Sequence, residues 1–246
     1  MDHGGHIAVV GAGLVGSGWA LVFARAGYSV RVYDPSADVR SRVLSWASDS
    51  LDELQEAGLV ADPKSILARI SIMETLGEAV NGVQYVQESV FETIPAKSEV
   101  SSQLDALIGP DTIVGSSSSG IPASKFTAEC RNRDRFLIAH PVNPPHLVPV
   151  VELVPAPWTS ALAVERVSAL MRKVEQVPVQ LNREIDGFVL NRLQGVLLNE
   201  AWALYEDGIA SLADIDATIA HGLGLRWSFM GPFETIDLNA PGGIDD

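Results

Sequence analysis

A single cysteine, Cys130, stands among 246 residues, so a disulfide framework within the chain is excluded. That usage fits a reducing compartment, and the chain is expected to be cytoplasmic. Basic residues are scarce: 17 Lys and Arg face 31 Asp and Glu, a formal net charge of −14. Nucleic acid and anionic membrane surfaces are recognised with Lys and Arg, so neither is an expected partner. Uninterrupted apolar runs are also lacking. Residues 7–24 carry no charge, a length that would suit a spanning helix, but Gly11, Gly13, Gly16 and Gly18 fall inside the stretch. No Lys or Arg precedes it, whereas a signal peptide needs a positive leader. A strand, a glycine turn and a buried helix account for the same run.

What is present is a globular composition, 47% hydrophobic and 20% charged. The length suits one large domain, or one with a smaller partner. Apolar, β-branched segments at 6–10, 28–33, 83–87, 112–115, 136–139, 148–154 and 177–181 read as strands. Helical patterns fill residues 14–26, 36–57, 94–108 and 161–175, with a short helix opened by Asp62-Pro63. From 185 the strand signal stops. One long helical pattern runs from 185 to about 205 and another from 212 to about 220. The expected fold class is therefore α/β. A Rossmann-like, doubly wound N-terminal domain at 1–184 precedes an all-helical C-terminal domain at 185–246.

Gly11-Ala12-Gly13-Leu14-Val15-Gly16 matches G-x-G-x-x-G between a strand and a helix, and Asp34 ends the next strand 23 residues after Gly11. That context marks a dinucleotide site. Gly11 permits the tight turn, Gly13 lets the backbone approach a pyrophosphate, and Gly16 lets helix and strand pack closely. The N–H groups near Leu14 and Val15 face the phosphates with the positive end of the helix dipole. Asp34 would accept hydrogen bonds from ribose hydroxyls and repel a 2′-phosphate. No Arg follows it immediately, so NAD is expected rather than NADP.

His140 opens the stiff segment His140-Pro141-Val142-Asn143-Pro144-Pro145-His146, and Glu152 lies twelve residues on, in a returning strand. A carboxylate on one imidazole nitrogen fixes the tautomer and leaves the other as a general base. From the spacing alone, a core histidine bonded to a local carbonyl is an equal reading. His3, His6 and His221 are assigned no chemistry, and His146 is expected in a solvated loop. No metal site is expected.

The segments 11–20 (GAGLVGSGWA), 87–97 (QESVFETIPAK), 116–125 (SSSSGIPASK), 139–155 (AHPVNPPHLVPVVELVP), 187–194 (GFVLNRLQ) and 222–243 span the chain in order. Together they resemble the 3-hydroxyacyl-CoA dehydrogenase superfamily, and within it the lambda-crystallin and L-gulonate 3-dehydrogenase branch. The resemblance implies that His140 is the catalytic base and Glu152 orients it. It implies that Ser119 binds the substrate hydroxyl, with Ser118 as the alternative register; a helix N-cap before Pro122 is a further reading, which one serine could serve while another binds substrate. Asn143 is expected near the nicotinamide, Asn191 helps place the substrate, and Glu92 and Lys97 contact NAD. The C-terminal domain is expected to mediate a homodimer and to be longer than it is here, by several tens of residues.

Substrate class is the second departure from the wider family. Residues 36–66 hold three basic and six acidic residues, a net of −3, which disfavours a phosphate-bearing CoA thioester. Arg226, beside Trp227, suits a free substrate carboxylate; an ordinary surface arginine is an equal reading. The expected activity is NAD-dependent oxidation of the 3-hydroxyl of a small polar hydroxy acid such as L-gulonate. Alternatives are a 3-hydroxyacyl-CoA dehydrogenase and a carnitine-type dehydrogenase, for which Trp227 could form one wall of a cage. A crystallin-like NAD(H)-binding protein without turnover is a further alternative.

Overall fold

In the computed structural model, residues 5–239 and 241–243 are described, so His3 and the last three residues lie outside them. The chain divides into two compact units, Met1–Val189 and Leu190–Asp246.

The first unit is built on eight strands: β1 (His6–Val10), β2 (Ser29–Tyr33), β3 (Ile70–Ile72), β4 (Tyr85–Glu88), β5 (Ile113–Ser116), β6 (Phe136–Pro141), β7 (Val150–Pro155) and β8 (Val177–Gln180). Their order in the sheet is β3-β2-β1-β4-β5-β6-β7-β8. All neighbours are parallel except β6 and β7, which form an antiparallel pair. The order reverses at β1, between β2 and β4, and ligands of such sheets sit at the carboxyl ends of the strands at this switch point.

Helices cover both faces, which is why the central strands are continuously apolar rather than alternating. On one face, α1 (Leu14–Arg25), α2 (Ala37–Glu56) and α6 (Ala161–Lys173) bury Trp19, Phe23, Leu51, Val164 and Met171. On the other, α4 (Leu76–Val80) and α5 (Ile94–Leu107) bury Leu76, Val80, Val100 and Leu104. A short helix, α3 (Pro63–Leu67), starts at the expected Asp62-Pro63, whose carboxylate caps Ser65 N–H. Cys130 is buried; burial first, then Asp105 and Glu129, push its thiol up to about 11.

One strand and one α-helix of the first unit escape the sequence reading, as do two short helices of the second, at 224–227 and 232–237. β3 has three residues and pairs with β2 as the edge of the sheet. α4 is a five-residue helix held by a capping box between Thr75 and Glu78. Each is too short to show a period. The long helix expected from 185 instead begins at Leu190, as α7 (Leu190–Glu206). Gly187 and Phe188 have φ of 73° and 48°, so the backbone leaves the helical region just before it.

The second unit continues with α8 (Leu212–Thr218), a π-helical turn at Ile219–Leu223, α9 (Gly224–Trp227) and α10 (Pro232–Asp237). Among the described residues no helix is long and apolar enough to cross a membrane, and no cluster of His, Cys, Asp or Glu could hold a metal ion.

Candidate active site

The glycine loop joins β1 to α1 at the switch point. Gly11 has φ of 92°, and a Cβ there would lie 2.5 Å from the Ser89 backbone. Its N–H donates to the Tyr33 carbonyl at 2.8 Å, which ties the loop to the end of β2. A Cβ on Gly16 would collide with the Gly11 carbonyl oxygen, so helix and strand pack as closely as the pattern predicts. A Cβ on Gly13 would meet nothing within 4 Å. The backbone there is open on one side, as a pyrophosphate bound to the first N–H groups of α1, at Leu14 and Val15, requires. Asp34 reaches back to the same loop: its carboxylate accepts the Ala12 N–H at 2.9 Å and the Ser36 N–H at 2.9 Å. The tight turn, the open glycine and the anchored acid fit a dinucleotide.

The β6–β7 pairing sets His140 directly opposite Glu152. Side chains opposite each other on an antiparallel pair share a face. Nδ1 of His140 and Oε2 of Glu152 lie 2.8 Å apart, with His140 6% and Glu152 2% exposed. Nε2 of His140 has no hydrogen-bond partner among the described residues. The second carboxylate oxygen, Oε1, accepts the Val189 N–H at 2.8 Å, and the Phe188 ring lies 5.6 Å from the imidazole. Neither Phe188 nor Val189 was expected at the site. Both lie in the GFVLNR segment, three and two residues before Asn191, where no local pattern marks them as site residues.

The turn between these strands carries Asn143, which is exposed, and continues to His146. His146 is not in a solvated loop. It packs edge-on against Trp46, Arg25 donates to its carbonyl at 2.9 Å, and its Nδ1 is buried. Burial and, second, the Arg25 charge lower its pKa against the opposing effect of Glu53, so it is neutral at pH 7. The residue therefore holds the β6–β7 turn against α1.

After β5 the four serines separate into different jobs. Ser116 and Ser118 are buried and Ser119 is exposed. The expected helix N-cap is not formed, because the short 3-10 turn at Ala123–Lys125 has no side-chain cap. Ser118 instead donates to Glu92 at 2.7 Å and accepts the Ile121 N–H at 3.1 Å, which closes the turn before it. Ser117 lies 2.8 Å from Ser89 and takes a hydrogen bond from Gln87 Nε2 at 2.8 Å. Gln87 itself accepts from the Tyr85 hydroxyl at 2.6 Å and donates to the carbonyl before His140 at 3.2 Å. Gly115 has no side chain because the Tyr85 hydroxyl occupies that space. The structure thus gathers Gly11, Gly13, Gly16 and Asp34 at one place, His140 with Glu152, and Ser119 with Glu92 and Lys97. Asn191 lies in the first turn of α7, and Arg226 is exposed on α9; both belong to the second unit.

Residues 6–185 match the 3-hydroxyacyl-CoA dehydrogenase NAD-binding domain, and residues 187–244 match the C-terminal domain of the same family. Lambda-crystallin from Oryctolagus cuniculus is 42% identical over 241 residues, covering 97% of this chain and 76% of its own. An L-carnitine dehydrogenase from Streptomyces griseus is 36% identical over 232 residues, covering 94% of this chain and 69% of its own. The crystal structure of an NAD+-dependent dismutase, 5-formyl-3-hydroxy-2-methylpyridine 4-carboxylic acid 5-dehydrogenase, superposes with a TM-score of 0.87 at 33% identity. It covers 100% of this chain and 77% of that one. The chain belongs to the 3-hydroxyacyl-CoA dehydrogenase family, in its lambda-crystallin branch, and is an NAD-dependent dehydrogenase acting on a hydroxyl group.

Proposed function

We propose that the substrate is a small polar 3-hydroxy acid, with L-gulonate the first candidate, oxidised at its 3-hydroxyl to the 3-keto acid. The buried His140–Glu152 pair carries this reading, because it presents one imidazole nitrogen as a base and holds the other on a carboxylate. Nε2 takes the hydroxyl proton as hydride leaves C3, and Glu152 stabilises the imidazolium that forms. Ser119 and Asn191 hold the reacting oxygen where charge develops, and Asn143 lies beside the nicotinamide. Bound NAD supplies the hydride acceptor. Oxidation releases a proton, so alkaline pH favours it and lower pH favours reduction of the ketone.

The choice of a small acid over a CoA thioester is supported by the surroundings of α2. Its two arginines are engaged locally, Arg40 with Glu74 at 2.9 Å and Arg42 with Asp38 at 2.8 Å. The rest of the helix is acidic, with Asp49, Asp52, Glu53 and Glu56. A CoA phosphate would meet a helix that carries five carboxylates against two arginines, each arginine beside a carboxylate. Arg226 is the cation assigned to the substrate carboxylate. The homodimer is supported by the second unit's own surface, where Trp202, Phe229 and Phe233 are exposed.

The test is NADH formation from NAD with L-gulonate, 3-hydroxybutyrate, carnitine and 3-hydroxybutyryl-CoA in parallel. Turnover on L-gulonate with a poor rate on the thioester supports the reading. Preference for the thioester overturns it, and NADH binding without turnover on any of the four points to the crystallin-like alternative. Two variants sharpen the result. Arg226→Met should raise KM for the acid by roughly tenfold or more, the loss of about one charge-assisted hydrogen bond; an unchanged KM removes Arg226 from the site. Glu152→Gln keeps an acceptor for the Val189 N–H but removes the charge behind the imidazolium. Its kcat should fall by roughly a hundredfold while KM moves little, and an unaltered kcat would leave His140 without the proposed support.

A further inference from the structure

Gln87 stands in β4 with none of its surface exposed, where a strand covered on both faces ordinarily carries an apolar residue. It shares a face of the strand with Tyr85, and Ser89 follows just past the strand's end. The amide has no spare capacity. The Ala139 carbonyl can only accept, so the atom facing it at 3.2 Å is Nε2, which fixes the orientation of the amide. The second Nε2 hydrogen goes to Ser117 Oγ at 2.8 Å, and Oε1 accepts the Tyr85 hydroxyl at 2.6 Å. Burial holds the Tyr85 phenol well above its ordinary pKa, so it stays a donor at neutral and alkaline pH.

These bonds reach from β4 to the end of β5 and to β6. Gly115 of β5 lies beside Gln87 in register, and without a side chain it leaves room for the Tyr85 hydroxyl. The β5–β6 pairing ends at Ser116 and Ile138, one residue before Ala139. Past that last backbone pair, the Gln87 side chain holds β6 at the residue before His140. On its other side Ser117 lies 2.8 Å from Ser89, whose N–H donates to the Val10 carbonyl at 2.7 Å and whose backbone abuts Gly11. The strand of the base, the serine turn and the glycine loop therefore meet around one buried amide.

We propose that Gln87 is a positioning residue for the dehydrogenase reaction: it fixes the backbone at His140 through the Ala139 carbonyl and orients the Ser117 hydroxyl with its second hydrogen. The inference rests on the reading of His140 as the base. Replacing an amide with a purely structural role would change stability alone. Replacing one that holds the base in line with the reacting carbon also lowers the rate at saturating substrate, because small displacements near the chemistry cost large factors in rate.

The experiment compares wild type, Gln87→Met and Gln87→Glu on L-gulonate, or on whichever of the four candidate substrates is turned over best. Methionine keeps the length and loses all three bonds. Its kcat should fall by roughly tenfold or more, with KM and the NADH Kd within threefold. In Gln87→Glu burial raises the pKa of the new carboxyl. While neutral it still accepts from Tyr85 and donates one hydrogen; once ionised it sets a charge against the Ala139 carbonyl. Its kcat relative to wild type should therefore fall at least tenfold between pH 6 and 9, whereas wild-type oxidation rises as His140 loses its proton. Hydrogen exchange over residues 138–141 should quicken at least tenfold in Gln87→Met, which reads the same support without turnover. A wild-type kcat in Gln87→Met, a Gln87→Glu ratio that does not change with pH, or unchanged exchange overturns the proposal. So does a tenfold rise in the NADH Kd with kcat retained, which would make Gln87 a support of the cofactor loop alone. If Gln87→Met does not fold, Gln87→Glu decides. Failure of the base reading is distinct, because it shows as turnover in His140→Gln.

Discussion

His140→Gln should lower kcat by roughly 10³-fold, the scale of a lost general base, and leave the Kd for NADH within twofold. The argument is geometric. A glutamine amide can still donate to Glu152, so the buried carboxylate, 2% exposed, is not left without a partner. The β6–β7 pairing that sets residues 140 and 152 opposite each other is a backbone feature and does not depend on the ring. What the variant cannot do is accept a proton at the position of Nε2. A 10³-fold loss corresponds to about 4 kcal/mol of transition-state stabilisation. Steady-state rates, NADH fluorescence titration and a melting curve on the same preparation separate lost chemistry from lost fold. Turnover comparable to wild type in a folded variant would remove His140 from the mechanism.

The second large effect concerns the glycine loop, where two neighbouring glycines should behave in opposite ways. In Gly16→Ala the new methyl meets the Gly11 carbonyl, with the Gly11 carbonyl carbon at 2.9 Å and Val9 Cγ1 at 3.3 Å. Two of these three contacts are backbone, which cannot rotate away as a side chain would. Helix α1 must move off β1, and α1 carries Trp19 and Phe23 into the core. The expected destabilisation is about 3 kcal/mol, the upper part of the range for overpacking. For a chain of this size that is a fall in Tm of roughly 6–12 °C, accompanied by loss of NADH binding. In Gly13→Ala the methyl enters open space, and φ at this position is −65°, which alanine adopts readily. Its Tm should hold while NADH affinity falls at least tenfold, because the methyl occupies the approach that the pyrophosphate needs. Calorimetry and NADH titration on both variants check the pair. Equal Tm values, or undiminished NADH binding in Gly13→Ala, would contradict the assignment of the loop.

Much of this site follows from local pattern. The strand, glycine turn and helix of residues 6–25, with Asp34 at the end of the next strand, are legible because each piece is set by neighbours in the chain. The glycines are needed where a Cβ cannot stand, and the apolar run is unbroken because both faces of a parallel sheet are covered. The pairing of His140 with Glu152 is legible for a similar reason. A strand, a stiff turn and a returning strand leave few registers, and twelve residues is a separation that one of them brings together.

Other features have no such local signature. β3 and α4, with three and five residues, are too short to repeat their own pattern, and they form because β2 offers an edge and Thr75 and Glu78 cap each other. His146 reads as a loop residue, yet Trp46 and Arg25, distant in sequence, take it out of water. The spacing of Glu92 and Lys97 does not show which charge leaves water, and in the folded chain Lys97 is enclosed by residues of β4 and β5. The sequence by itself determined the residue types, their spacing and the short-range geometry that makes a dinucleotide turn and a base–acid pair. Tertiary structure alone decided which of the charged and polar side chains lose their water. That depends on which elements pack over them, and the energy of a charge is set by those surroundings rather than by its neighbours along the chain.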